Sequence, residues 1–191
     1  VTRLSGDDGY VTPAISERYV RYAQGEVGLI VVEAMAIHGS SAGPLLRISD
    51  DKFVPGLREM VRRIHDTSDS KVVPQIIHFL KIARSGWRQT VDMLTPEDIE
   101  NIVEQFGQAA ARARAAGFDG IELHNAHAYT LASFVSPLNT RSDEYGGATL
   151  EGRLHLIGRV MDSVRRHAGH DYQVGIRYLS EEFVRGGHTV E

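Results

Sequence analysis

Four short apolar runs recur along the chain, and each carries polar residues at or near its carboxyl end. The runs lie at residues 28–33, 72–78, 118–124 and 172–177. Their polar residues are Glu33, Gln75, His78, His124 and Arg177. Continuous runs of Val, Ile and Leu are typical of parallel strands that are buried on both faces. We therefore predict four parallel strands with polar side chains gathered at one edge.

Helical patterns separate these runs. Residues 95–116 open with an N-cap threonine and a proline, repeat apolar residues at helical spacing and are followed by Gly117, a candidate left-handed cap. A second helix is predicted over 149–167, and shorter helices over 13–24 and 55–66. The second helix carries one apolar stripe, formed by Leu150, Leu154, Ile157, Met161 and Val164. Alternating helices and strands indicate an α/β fold with a parallel sheet.

The loops after the predicted strands favour a TIM (β/α)8 barrel over a doubly wound sheet. No glycine-rich phosphate turn follows any strand. Barrel active sites gather at the carboxyl ends of the strands, where the polar residues of this chain lie. Four strands cannot close a barrel, the chain begins with Val1 rather than Met, and a helix is expected to start where it ends at Glu191. We therefore expect residues 1–191 to form one partial barrel domain, truncated at both ends.

Composition narrows the class of protein. Of 191 residues, 42% are hydrophobic and 24% charged, which is typical of a globular domain. A formal net charge of −4 argues against nucleic acid as a partner. The chain has neither an apolar run long enough to span a membrane nor a signal peptide at its start. It also contains no cysteine, and we expect a cytoplasmic location.

His124, His127 and Tyr129 are the candidate catalytic residues. Two nearby imidazoles can donate hydrogen bonds to one carbonyl oxygen and withdraw electrons from a conjugated double bond. A tyrosine hydroxyl can then donate a proton to the carbanion. Two alternatives remain open at this point. The pair could bind zinc with His78, Glu33 or His38, as in a metal-dependent hydrolase barrel. Otherwise one histidine only caps a strand and Tyr129 packs beneath the next helix.

Gln75 and Arg177 suit the edge of a flat heterocycle. The Gln75 amide offers both a donor and an acceptor. Arg177 would place positive charge beside a ring that becomes anionic on reduction, although a salt bridge to a loop carboxylate would also explain it. In the loop that follows the trio, Arg141 is expected to pair with Asp143 or Glu144.

These motifs together resemble the Old Yellow Enzyme family of NADH:flavin oxidoreductases and ene-reductases. The resemblance covers essentially the whole chain, from just after the first barrel strand to just after the fifth. It rests on Gly117-Phe118-Asp119-Gly120-Ile121-Glu122-Leu123-His124-Asn125-Ala126-His127-Ala128-Tyr129, on Phe134-Val135-Ser136-Pro137-Leu138 and on Arg141-Ser142-Asp143-Glu144-Tyr145-Gly146-Gly147. It departs from the family where Phe79-Leu80-Lys81-Ile82-Ala83-Arg84 replaces the Gly-Arg pair that many members carry after the histidine matching His78.

The resemblance implies an FMN-dependent enzyme and a role for each site residue. The chain would supply about strands 2–5 of the TIM barrel. His124 and His127 would hold the substrate carbonyl, and Tyr129 would donate the proton. Gln75 and Arg177 would contact the flavin ring, with Ala34 beneath it.

The resemblance also implies the reaction partners. NADH or NADPH would reduce the flavin, and an activated alkene (an enone, enoate or enoyl thioester) would then take hydride from flavin N5. The His/His form of the pair is similar to the bacterial dienoyl-CoA and enoate reductases. A 4Fe-4S cluster and FAD are therefore expected only if the full-length protein is a longer, multidomain relative. We expect residues 1–191 alone to be inactive, to bind FMN poorly, and to form a homo-oligomer or aggregate.

Overall fold

The sheet is parallel and runs through the chain almost in sequence order. A computed structural model describes residues 1–39, 43–82 and 85–190. Within these ranges the five strands have the order β2-β1-β3-β4-β5. They are β1 (Leu29–Ala36), β2 (Leu46–Arg47), β3 (Lys71–Ile77), β4 (Gly120–Asn125) and β5 (Gln173–Tyr178). The four predicted strands are confirmed, and the two-residue β2 was missed because it is too short to leave an apolar run.

Five α-helices precede or connect these strands within the described ranges. They are α1 (Pro13–Gln24), α2 (Val54–His65), α3 (Pro96–Ala115), α4 (Thr130–Val135) and α5 (Leu150–Ala168). Short 3-10 helices lie at Asp51–Phe53 and Val91–Met93. The four predicted helices are confirmed, and α4 was not foreseen. As the sequence indicated, Thr95 and Asp98 form a capping box at the start of α3, and Gly117 has a left-handed φ of 89°.

The long helices form one layer on one face of the sheet. Contacts run from α1 to α2, from α2 to α3 and from α3 to α5. A single core cluster joins this layer to the strand residues that point toward it, such as Ile30, Val72 and Ile121. A doubly wound sheet would carry helices on both faces and would reverse its strand order at a switch point. The arrangement is instead that of consecutive βα units in a barrel.

Four of the five residues predicted to form one stripe on α5 share a face, and Val164 lies on another. Leu150 and Leu154 are exposed, Ile157 and Met161 are half-buried, and Val164 is buried. The core residues of α5 lie on a neighbouring face and include Leu156, Val160 and Val164. The helix has two apolar faces, and α3 and the sheet cover the one that carries Leu156. The other faces a groove beside the open edge strand β5.

The loop after α4 is held by Arg141, as predicted. Its guanidinium pairs with the Asp143 carboxylate, with Nε 3.0 Å from Oδ1, rather than with Glu144. A further nitrogen of Arg141 donates to the carbonyl oxygen of Leu94 at 2.8 Å. This loop is therefore tied to the segment that leads into α3. In the segment 79–84, where the sequence differs from the family pattern, Ala83 and Arg84 lie outside the described residues. No helix in the described ranges is both long and apolar enough to cross a bilayer.

Candidate functional site

A cavity of about 780 Å³ opens at the carboxyl ends of β1, β3 and β4. Five of the six predicted site residues line it, namely Ala34, Gln75, His124, His127 and Tyr129. The sixth, Arg177, is not part of the lining within the described ranges and lies one strand further along, on β5. Parallel strands place their carboxyl ends at one edge, so residues distant in sequence meet here.

A β-bulge in β1 shapes one wall of the cavity. Val32 pairs with Pro74 and Met35 with Ile76, so β1 carries one more residue than β3 between these pairs. The residues of a regular strand alternate between the two faces of the sheet. The extra residue allows two neighbours, Glu33 and Ala34, to line the same cavity.

His124 is a buried and neutral imidazole at the end of β4. It is 5% exposed. Burial, followed by the proximity of His127, lowers the pKa of His124 to about 4. Its Nε2 lies 3.3 Å from Nδ1 of His127, so one of these nitrogens donates and the other accepts. Because the ring is neutral near pH 7, His124 acts there through hydrogen bonds rather than through charge.

A strained turn brings Tyr129 back onto His124. His127 and Ala128 have φ values of 57° and 54°, in the left-handed region that residues other than glycine rarely adopt. Tyr129 then takes the N-cap position of α4, and its ring centroid lies 5.0 Å from that of His124 in an edge-on contact. The three predicted catalytic residues thus form one wall of the cavity.

Glu122 connects Gln75 to Arg177 across three adjacent strands. Its Oε1 accepts from Nε2 of Gln75 at 2.6 Å and from Nε of Arg177 at 3.2 Å. The salt bridge considered for Arg177 therefore exists, with a strand residue rather than a loop acid as its partner. Sequence reasoning missed Glu122. A carboxylate between Ile121 and Leu123, two residues before His124, was the signal that could have revealed it.

His78 and His38 form a second imidazole pair beside the cavity. Their ring centroids are 4.8 Å apart, and Nδ1 of His78 lies 2.7 Å from Oγ1 of Thr130. Burial, together with the proximity of His38, lowers the pKa of His78 to about 3. Since Thr130 is the first residue of α4, His78 fixes the start of the helix that follows Tyr129.

Glu33 anchors the first residues of the chain at the cavity rim. Its carboxylate accepts from the backbone nitrogen of Thr2 at 3.0 Å and from the Thr2 hydroxyl at 2.7 Å. Its backbone nitrogen donates to the Tyr19 hydroxyl at 2.7 Å. Val1 and Arg3, on either side of Thr2, line the cavity. Sequence reasoning placed Glu33 at a strand end but did not identify this contact.

The metal-site alternative is not favoured. Within the described ranges there is no cluster of three or more His, Asp or Glu residues placed to hold a metal ion. His124 and His127 instead contact each other, and His124 also contacts Tyr129.

Comparison with known proteins shows which family this chain is similar to. The model of the NADH:flavin oxidoreductase / NADH oxidase family matches residues 80–191. An NADH oxidase of Thermoanaerobacter brockii is 33% identical, over 100% of this chain and 32% of the relative. An NADPH dehydrogenase of Bacillus licheniformis is 39% identical, over 83% of this chain and 51% of the relative. The chain therefore spans about a third to a half of these relatives.

A solved structure confirms the fold. An old yellow enzyme from a Pichia species superposes with a TM-score of 0.85 at 24% identity, covering 98% of this chain and 56% of that chain. The prediction of a partial TIM barrel is thereby confirmed.

Proposed function

Because the chain belongs to the NADH:flavin oxidoreductase / NADH oxidase family, we propose that it carries the substrate-binding wall of an FMN-dependent enzyme. The enzyme reduces activated C=C bonds in enones, enoates or enoyl thioesters with NADH or NADPH. The resemblance to Old Yellow Enzymes seen in the sequence agrees with this family. The observation that carries the proposal is the placement of His124, His127 and Tyr129 on one wall of a cavity that also contains Gln75.

The cavity residues fit a flavin ring. A volume of about 780 Å³ lies within the usual range of ligand pockets. Gln75 presents an amide to the cavity and Ala34 leaves room for a flat ring. Arg177, which Glu122 holds beside this lining, carries a positive charge. These three residues would hold the ring of FMN. When bound, FMN supplies the hydride, which NADH or NADPH replaces.

The two histidines suit a carbonyl oxygen. His124 Nε2 and His127 Nδ1 are 3.3 Å apart, so an oxygen atom can lie about 2.9 Å from both. It accepts two hydrogen bonds when both of these nitrogens carry a proton, and these bonds replace the contact between the two rings. These bonds withdraw electron density from the conjugated double bond and favour attack at its β-carbon.

Tyr129 is positioned to donate the proton that completes the reduction. Its ring packs edge-on against His124, so its hydroxyl belongs to the same wall as the carbonyl site. A neutral phenol is a donor near pH 7 and can protonate the α-carbon as hydride arrives at the β-carbon.

Replacing Tyr129 by Phe in the full-length, FMN-loaded protein tests this division of roles. We expect Tyr129→Phe to slow alkene reduction by a factor of roughly 100 or more, the usual contribution of a general acid. Reduction of the flavin by NADH or NADPH should change little, because that half-reaction needs no proton from Tyr129. Rapid-mixing absorbance measurements on each half-reaction provide the readout.

A matched control uses Tyr22, which is 40% exposed against 37% for Tyr129 and lies on α1 away from the cavity. Tyr22→Phe should leave both half-reactions unchanged. Equal slowing of both half-reactions in Tyr129→Phe would contradict the proton-donor role.

A further inference from the structure

Glu122 is the carboxylate that the proposed mechanism leaves without a role. It lies in the middle of β4 on the inner face of the sheet, opposite the helix layer, and its side chain is 15% exposed. The strand register places Glu122 directly beside Gln75 on β3, and the next inward residue of β4, His124, beside Arg177 on β5. One oxygen of Glu122 thus accepts hydrogen bonds from both neighbouring strands.

The contact with Glu122 fixes the orientation of the Gln75 amide. A carboxylate only accepts hydrogen bonds, so the NH₂ group of Gln75 must face Glu122, at 2.6 Å. The amide oxygen of Gln75 then points away from Glu122 and is left to accept from a bound group. A ligand that hydrogen-bonds to this oxygen must present an N–H or O–H donor.

The same contact sets the charge at this wall. The guanidinium of Arg177 is 52% exposed and is held by Glu122 through its Nε. Among the described residues, its terminal nitrogens make no hydrogen bond, so a ligand can reach them. Because the carboxylate offsets the charge of Arg177, a ring bound here experiences a weaker positive field than an unpaired arginine would produce.

We infer that Glu122 is a positioning residue that orients the Gln75 amide and partly neutralises Arg177, and so sets both the affinity for the flavin ring and its reduction potential. The inference rests on the proposed function, since the ring is that of FMN. Two variants separate the two effects. Glu122→Gln keeps an acceptor oxygen of the same shape and removes the charge, whereas Glu122→Leu removes the acceptor as well.

The first experiment observes Gln75 without flavin. The side-chain NH₂ of Gln75 is followed by ¹⁵N-¹H NMR in the flavin-free protein. We expect one amide proton shifted downfield in the wild type and in Glu122→Gln, and the shift lost in Glu122→Leu. Identical Gln75 signals in the wild type and Glu122→Leu would overturn the inference at its first step.

The second experiment measures FMN bound to the full-length protein, because residues 1–191 alone are expected to bind it poorly. Glu122→Gln should raise the midpoint potential of the flavin, because the unpaired charge of Arg177 then favours the reduced, anionic ring. Glu122→Leu should raise the dissociation constant for FMN by roughly tenfold or more, because Gln75 and Arg177 are no longer held in place. A purely structural role would change thermal stability and leave the potential of Glu122→Gln unchanged.

The matched control is Glu100→Gln. Glu100 on α3 pairs with Arg159 on α5, so this variant also removes a carboxylate from an arginine pair, outside the cavity. It should leave the potential, the FMN affinity and the Gln75 signal unchanged. The inference is overturned if Glu122→Gln and Glu122→Leu match this control in potential, FMN affinity and Gln75 signal. The proposed function stands in that case, provided that the full-length wild type binds FMN. Absence of FMN binding by the full-length wild type overturns the proposed function, and this inference with it.

Discussion

Ala128 holds a backbone conformation that suits glycine better than alanine, at the turn that returns Tyr129 to His124. Its φ is 54°, directly after His127 at 57°. A β-branched side chain in this region clashes with its own backbone. We therefore expect Ala128→Val to lower the free energy of unfolding by about 2 kcal/mol or more. Urea denaturation followed by circular dichroism measures the change.

The matched variant at the same position is Ala128→Gly. Relief of strain and the greater entropy of unfolded glycine nearly offset each other, so its free energy of unfolding should stay within about 1 kcal/mol of the wild type. If Val and Gly proved equally well tolerated, the left-handed conformation of residue 128 would be wrong.

Two buried imidazoles make stability depend on pH. Burial lowers the pKa of His124 to about 4 and that of His78 to about 3, whereas an unfolded histidine titrates near 6.5. The unfolded chain therefore binds more protons than the folded chain between about pH 6.5 and these lower values. Stability is fully present above about pH 6.5 and decreases as the pH falls through this window.

We expect the free energy of unfolding to be smaller at about pH 5 than near neutral pH by on the order of 2 kcal/mol for each of these two histidines. Urea titrations at both pH values measure this difference. His78→Gln removes one of the two groups and should show a smaller loss on acidification. An equal loss in the wild type and in His78→Gln would show that His78 does not contribute.

Single residues were predictable where a strand end or a motif marked them. His124, His127 and Tyr129 were identified because a histidine at a predicted strand end is followed closely by two more polar rings. Glu122 was not, although it has the same parity as His124 along β4 and so faces the same side of the sheet. Its contacts depend on which residue of β3 lies beside it, and the pairing register of parallel strands separated by a helix cannot be read from one sequence.

At the scale of elements, the packing of α3 against α5 depends on Gly107. A Cβ added there would lie 2.3 Å from Ser163 Oγ, 2.5 Å from a carbon of the His167 ring and 3.0 Å from the Ser163 carbonyl oxygen. We expect Gly107→Ala to lower the free energy of unfolding by about 2 kcal/mol, because the clash outweighs the gain in helix propensity. Thermal or urea unfolding measures the change.

Gly56 on α2 is the matched control. A Cβ there would meet Val11 at 3.8 Å, an ordinary contact distance. Gly56→Ala should therefore raise the free energy of unfolding by up to about 1 kcal/mol, which is the propensity difference alone. A stabilising Gly107→Ala would contradict the close approach of the two helices.

Elements were predictable where local chemistry marks them. The start of α3 is encoded by Thr95, Pro96 and Asp98, which satisfy its first backbone donors whatever the rest of the chain does. The bulge at Glu33 and Ala34 has no such local signal. The bulge lies opposite β3 just after Pro74, a residue that has no backbone N–H to donate to the sheet. The extra residue in β1 becomes visible only when the two strands are aligned.

At the scale of the whole molecule, the two apolar faces of α5 show what periodicity leaves undecided. Leu150, Leu154, Ile157 and Met161 recur at helical spacing as regularly as Leu156, Val160 and Val164 do. Periodicity identifies a face that avoids water but not the surface that covers it. The face that carries Leu150 and Leu154 lines a groove together with Ile176 and Tyr178 of β5. These two residues of β5 are 46% and 55% exposed. The barrel architecture explains this groove, because each βα unit of a barrel packs against the next.

The open apolar face, defined by Leu150, Leu154, Ile157, Met161, Ile176 and Tyr178, should make residues 1–191 associate with themselves when they are produced alone. Contiguous exposed apolar surface of this kind drives association, and the unpaired edge of β5 adds backbone donors and acceptors. Sedimentation velocity should therefore detect dimers or larger species.

The double variant Leu154→Gln with Ile157→Gln should shift the population toward monomer. Leu4→Gln should not shift the population, because Leu4, which is 40% exposed against 43% for Leu154, lies outside this face. A monomeric wild type would show that this face tolerates water. The same sample should bind FMN poorly, because barrel phosphate sites are built by the loops after strands 7 and 8.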